Sequence, residues 1–268
     1  MRSATLRRAA LIAYAGLFYA FLYLPILLLI VLSFNDSQLI GLPFQRASLR
    51  WYAEVAATPD LMRAIRNSTL LGAASAIIAT VMALMLSLAF RVEFRGKDLL
   101  MKALLLPILI PGVVGGIIYL VSFGVTGVPV GLWPAALIAH VTWVLPFAFL
   151  TLYPRLHAFD RSIEEAAMDL GATPWVVFHR IVLPLIRPGL IATAMFSFTL
   201  SFDEFIRTLF VVGNDRTVPV HLWTLLSEHM APFLPAVGVI VMTVSVVVSL
   251  AGFVIAHSAD RWRDGPKP

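Results

Sequence analysis

From Ala103 to Tyr153 the chain carries no Lys, Arg, Asp or Glu. At about 1.5 Å per residue, one helix of that length would far overshoot a hydrocarbon core of about 30 Å. Gly124, Gly127, Pro129 and Gly131 interrupt its middle, so the stretch divides into two crossings joined by a short turn. Charge-free runs of spanning length recur elsewhere. The expected spans are about 11–33, 68–90, 103–123, 133–153, 190–212 and 232–256. Composition agrees: 60% of residues are hydrophobic and 13% charged, against about 45–50% and about 25% for soluble domains. The expected fold class is therefore an all-α membrane protein of six transmembrane helices, organised as one transmembrane domain over residues 1–268.

The run from Ala9 to Phe34 is uncharged behind Arg7 and Arg8. It exceeds the roughly 7–15 apolar residues of a signal peptide and is expected to be a retained first span. Lys and Arg set the orientation. Arg2, Arg7 and Arg8 precede the first span. Arg91, Arg95, Lys97 and Lys102 follow the second, and Arg155, Arg161, Arg180 and Arg187 follow the fourth. Arg261, Arg263 and Lys267 follow the sixth. The other side has only Arg46, Arg50, Arg63, Arg66 and Arg216. Both termini and the loop 155–187 are expected in the cytoplasm. Residues 34–66 then form the main external loop, in which Ser48–Val55 is expected to make a short amphipathic helix with Trp51 and Tyr52 at the lipid interface.

The loop after the fourth span carries the densest local signals. Ser162 and Glu165 read as an S-x-x-E capping box. Ile163, Ala166, Ala167 and Leu170 follow on one helical face. Gly171 suits a left-handed C-cap, Thr173 an N-cap and Pro174 the first position of a second helix. Pro184 should end or kink that helix. The expectation is two short helices meeting at a glycine turn, with Ile163, Leu170, Trp175 and Phe178 in need of a cover.

Glu165-Ala166-Ala167, three residues, Gly171, nine residues, Ile181, one residue, Leu183-Pro184 reproduces the EAA signature of ABC importer permeases in full. The chain resembles that family, with a type I importer fold. Tyr23-Leu24-Pro25-Ile26, Ser33-Phe34-Asn35-Asp36, Trp51-Tyr52, Phe94-Arg95-Gly96-Lys97 and Ser197-Phe198-Thr199-Leu200-Ser201-Phe202-Asp203-Glu204 resemble the second permease of spermidine/putrescine-type importers. The resemblance implies that Glu165, Ala166, Ala167, Gly171, Ile181, Leu183 and Pro184 form the segment coupled to an ATPase. It implies an ATPase subunit dimer, a second homologous permease, an external solute-binding protein and the lipid membrane as partners, with no nucleic acid. It also implies a bacterial inner-membrane location. ATP and Mg would bind the ATPase, leaving this chain without a cofactor. No G-x-x-x-x-G-K-[ST] loop occurs, so hydrolysis must come from elsewhere and the chain is not itself an enzyme.

The fifth expected span contains Asp203, Glu204 and Arg207. Intramembrane ionisable groups face cavities or partners. The resemblance implies that the acids face the solute path, with Phe202 and Trp143 as aromatic candidates for a cation. Two internal pairings compete: Asp203 with Arg207 at four residues, and Glu204 with Arg207 at three. Arg207 also departs from a simple acidic path, which leaves other small solutes (amino-acid-like, opine or phosphonate) as alternatives to a polyamine. An ion-coupled secondary transporter is the competing class; it would need midplane carboxylates and no ATPase dock. Pro107, Pro111 and Gly112 should break the third span, which would let it line the path. His140 and Thr142 are expected to satisfy backbone or interhelical hydrogen bonds. His221 and His229 lack a set of metal ligands, and no metal site is expected. Asn67-Ser68-Thr69 matches a glycosylation pattern common by chance.

Overall fold

The structure is a computed structural model and describes residues 2–228 and 231–261; His229 and the C-terminal residues from 262, including Arg263 and Lys267, lie outside the described residues. Five helices are long and apolar enough to cross a membrane, or up to six if one bent pair counts as a single span. Among the described residues there is no strand, only an isolated bridge between Asn35 and Ala47. The chain divides into two compact units, Met1–Met62 with Leu222–Thr243, and Arg63–His221 with Val244–Pro268.

The first unit holds α1 (Arg2–Ser33) and α2 (Arg50–Ala57). The segment between them is tied together by polar groups. Asn35 Nδ2 donates to the Gly41 carbonyl at 3.1 Å, and its Oδ1 accepts from the Gln45 N–H at 2.8 Å. Asp36 pairs with Arg46 at 2.7 Å and Arg50 at 3.5 Å. The Arg46 hydrogen bond holds the Asp36 carboxyl below the usual carboxylate range. The expected lipid-facing role of Trp51 is corrected here. Trp51 is 2% exposed and its indole N–H donates to the Asn35 carbonyl at 2.7 Å. A buried indole needs such a partner, and the folded loop supplies it. Tyr52 meets Ser33 Oγ at 2.8 Å.

The second unit takes most of α3 (Pro59–Ala89), then α4 (Lys97–Leu109), α5 (Gly112–Thr126) and α6 (Leu137–His157). After them come α7 (Ser162–Asp169), α8 (Pro174–Val177), α9 (Leu183–Phe202) and α10 (Ile206–Val211). Ala79 and Ala83 of α3 are fully buried in one core with Val144, Ala148, Phe149 and Leu152 of α6. The alanines lack bulk, so the bulky side chains of α6 fill the space beside them. Phe90 closes this core, edge-on to Phe149 at 5.4 Å. Val177, Val182 and Ile186 join it, which seats the α8–α9 segment against the body of the unit.

Two expectations about span limits are revised and one holds. Pro184 does not end the second short helix. A wide turn at Phe178–Val182 carries α8 into α9, and the span runs from Pro174 to Phe202. Pro184 is the second residue of α9, where the helical register changes and a missing N–H costs little. The fifth span stops at Phe202 rather than 212, because Asp203–Phe205 break the helix before α10. The third span is broken as expected: α4 and α5 meet at 107° around Ile110-Pro111. Pro111 cannot continue α4, and Ile110 is driven to an extended conformation by the proline that follows.

Candidate functional site

Two clusters carry chemistry. The first is α7 and the turn after it. The expected capping box is not formed. Ser162 lies inside the helix, and its N–H donates to Asp160 Oδ1 at 2.9 Å. Asp160 reaches it first because an aspartate two residues back closes a local turn. That bond keeps the Asp160 carboxyl below its ordinary range. The charged, accepting form therefore persists at neutral pH, and the cap is lost as pH falls through the lowered value. Asp160→Ala is expected to speed amide hydrogen exchange at Ser162 several-fold with the rest of the second unit unchanged. Gly171 turns left-handed at φ +87°, and Thr173 Oγ1 accepts from the Val176 N–H at 3.4 Å. The two helices therefore meet as expected at a glycine turn.

The face so presented is uncovered. Leu170 is 91% and Trp175 69% exposed, and Ile163 and Met168 are exposed beside them. Glu165 and Ala166 are exposed, and among the described residues no side chain pairs with Glu165. Ala167 and Ile181 turn inward against the core of α3 and α6. Leu183 is half-buried, and Pro184 is exposed. Sequence reasoning missed Glu164. It pairs with Arg91, just past the end of α3, through largely buried side chains, and Arg161 donates to the Arg91 carbonyl. Arg91 also lies 5.8 Å from the Phe159 ring. Leu88, Arg91, Glu164, Glu165 and Met168 border a hollow of about 270 Å³. The only signal for this link was an acid beside the motif glutamate and a basic residue closing the second span.

The second cluster lies where α4, α5, α6, α9 and α10 come together. Glu204, not Asp203, takes Arg207. Its carboxylate sits 3.3 Å from Arg207 Nη1 through both oxygens, and its Oε1 also accepts the Arg207 N–H at 2.9 Å. That bond starts α10, which is why the helix breaks here. Arg207 is 6% exposed. Its guanidinium carbon lies 3.6 Å over the Trp143 ring, and Nη2 is 3.5 Å from the Ile110 carbonyl, left open by the α4 break. Gly112 and Gly115 line this space. A Cβ at either would meet the guanidinium at 3.6 and 3.5 Å.

Asp203 stays apart. It is exposed, and its two oxygens accept from Ser245 Oγ at 3.2 and 3.3 Å. Phe202 is 2% exposed and stacks on Phe198 at 5.5 Å. It therefore offers no free face to a solute, because the last turn of α9 points it into the core. Trp143 does offer an aromatic face, and Arg207 already occupies it. His140 satisfies neighbouring helices. Thr208 Oγ1 donates to the Glu204 carbonyl at 2.7 Å, so His140 Nε2, also 2.7 Å away, must be the donor to it. Nδ1 then accepts from Ser201 at 2.7 Å. Thr142 donates to the Ile138 carbonyl.

Residues 12–263 match the family described as binding-protein-dependent transport system inner membrane component. The chain belongs to this family. Among relatives of the permease is the spermidine/putrescine transport system permease protein PotC of Escherichia coli (strain K12). It is 34% identical over 92% of this chain and 94% of its own length. The putrescine transport system permease protein PotI of the same organism is 34% identical over 90% of this chain and 88% of its own. The permease fold is also that of a bacterial alginate ABC transporter, solved with an alginate pentasaccharide-bound periplasmic protein. There the TM-score is 0.72 at 17% identity, covering 94% and 93% of the two chains. The MetNI methionine ABC transporter gives a TM-score of 0.61 at 16% identity over 74% and 95%. These likenesses make the protein a permease subunit of an ABC importer with a type I fold.

Proposed function

We propose that this permease imports a polyamine-like organic cation by alternating access, coupled through α7 and α8 to an ATPase on the cytoplasmic side. The observation that carries the coupling assignment is the ordered helix pair whose motif glutamate and largest apolar side chains are uncovered. A solvent-exposed leucine and tryptophan at that turn gain nothing in water; a protein groove would bury them. Glu165, Ala166, Gly171 and Pro184 face the ATPase in this reading. Ala167, Ile181 and Leu183 seat the segment on the permease. ATP and Mg bind the ATPase dimer, and its closure pulls on α7. A second permease completes the path, and an external binding protein delivers the solute. The chain acts as one transmembrane domain with both termini cytoplasmic, as the distribution of Lys and Arg supports.

The cation assignment rests on the names of the two relatives and on unpaired acid. Asp203 is exposed, and among the described residues no cation neutralises it. A carboxylate held only by a serine hydroxyl can attract an ammonium group, and strongly so where water is scarce. Radiolabelled spermidine and putrescine uptake by the complete transporter in proteoliposomes tests the reading. Uptake of either, lowered about tenfold by Asp203→Asn, is the expected result. Absence of polyamine uptake in the wild type would remove the substrate class. Unchanged transport by Asp203→Asn would remove Asp203 from the path.

A further inference from the structure

We propose that Arg207 is a tethered stand-in for the solute. The box formed by the Glu204 carboxylate, the Trp143 face and the Ile110 carbonyl is an organic-cation site that the guanidinium fills when no solute is present. The inference rests on the polyamine reading for its ligand class, but the box itself is defined by residues alone.

Each wall of the box recognises a cation. An indole face attracts a guanidinium or ammonium within about 6 Å of its centroid, and here the separation is 3.6 Å. A carboxylate supplies the opposite charge, and the Ile110 carbonyl at the broken helix supplies an unused lone pair. These are the groups an alkylammonium chain needs, and none of them prefers an arginine to another cation. Glu204 is held independently of the guanidinium, because its Oε1 accepts the Arg207 backbone N–H. If the side chain swings out, the carboxylate stays in place.

The polar contacts of the guanidinium are long, although its face lies close on Trp143. Its contacts with Glu204 and Ile110 are 3.3–3.5 Å, longer than the roughly 2.7–2.9 Å of a tight charge-assisted bond. A structural arginine buried for stability would be expected to make short bidentate bonds. The arrangement also explains why a cation path would carry an arginine at all. An empty Glu204 between α10 and the elbow of α4 and α5 would be a buried unpaired charge, which is costly in a membrane. A tethered cation removes that cost between transport cycles. It also gives the site a rule of selection: a solute must match Arg207 in charge and in affinity for an indole face to displace it.

The elbow makes displacement consequential. Arg207 reaches the end of α4 through Ile110 and lies against Gly112 and Gly115 of α5. Replacing the tether with a free cation therefore releases the Arg207 link to the end of α4, while α10 stays packed on α5 through Ile206 and Phe210.

The test uses the purified transporter with its ATPase and second permease, without the binding protein, so that only the membrane site is read. Spermidine and methylguanidinium are titrated against wild type, Arg207→Ala and Arg207→Lys, with equilibrium binding and thermal unfolding as readouts. Spermidine should bind Arg207→Ala at least about tenfold tighter than wild type, and methylguanidinium should bind only the variant. Adding Glu204→Gln should abolish both gains. Arg207→Lys keeps a cation in the box and should fold even if the alanine variant does not; its shorter reach should still give spermidine tighter binding than wild type.

If methylguanidinium restores stability to Arg207→Ala but neither spermidine nor tetramethylammonium binds it more tightly than wild type, Arg207 is a strut and the inference fails. It fails equally if Arg207→Lys folds and gains nothing. If wild type transports no polyamine yet Arg207→Ala binds methylguanidinium and tetramethylammonium through Glu204, the box stands and the polyamine reading falls.

Discussion

Glu165→Lys is expected to abolish solute uptake while leaving the permease inserted and folded. The residue is exposed on α7, and among the described residues no partner in the chain depends on it. Its loss therefore removes nothing from the second unit. The expected damage lies at the ATPase surface, where a reversed charge faces a site built for an acid. Like-charge juxtaposition at an interface costs several kcal/mol, enough to lower occupancy of the docked state by more than about a hundredfold. Uptake in proteoliposomes should fall to background, and the ATPase subunit should be lost on purification. Normal uptake with a retained ATPase would remove α7 as the dock.

The second large effect is expected at Arg91 and Glu164. Their pair is the link from α7 to the end of α3, and both side chains are largely withdrawn from solvent. Reversing either charge sets two like charges together and costs at least about 2 kcal/mol. Unlike Glu165, neither residue is free for the ATPase. Arg91→Glu or Glu164→Arg should therefore leave the complex assembled. ATP hydrolysis should continue, but solute moved per ATP should drop about tenfold, because α7 no longer pulls α3 with it. The double exchange, Arg91→Glu with Glu164→Arg, should recover much of that ratio. Failure of the exchange to recover coupling, with both proteins equally stable, would show that the pair only stabilises the fold.

These two predictions separate the acids that stand side by side in the sequence. Periodicity distinguishes them poorly, since neighbouring helical positions differ by about 100° and either could face outward. The motif marks Glu165. Only the position of α7 against the end of α3 shows that Glu164 is the acid turned inward.

The same division runs through the molecule. The charge-free runs determined the membrane class, because uncharged helices of spanning length have no other stable solvent. Lys and Arg distribution supplied the expected orientation, and the spacing from Glu165 to Pro184 supplied the kinship. Gly171, Thr173 and Pro174 behaved as read, since caps and turns act within a few residues. What failed were readings that a competing contact overrode, close by in the chain for Ser162 and Pro184 and farther off for Trp51. Ser162 lost the cap to Asp160, Trp51 was taken into a folded loop, and Pro184 was absorbed by a change of register. Phe202 was turned into the core.

The choice between Asp203 and Glu204 as the partner of Arg207 lay beyond the sequence. Spacings of three and four residues are both permitted on a continuous helix. The helix is not continuous there. Its break sends Asp203 towards Ser245 and brings Arg207 under Trp143 and beside Ile110, residues far away in the chain. The sequence by itself determined that the protein crosses a membrane in several apolar helices and which short segment carries the permease motif. The tertiary structure alone decided which acid is free and which is occupied. Hydrophobic runs and caps are written in local spacing, whereas the pairing of a buried charge depends on which helices the fold brings around it.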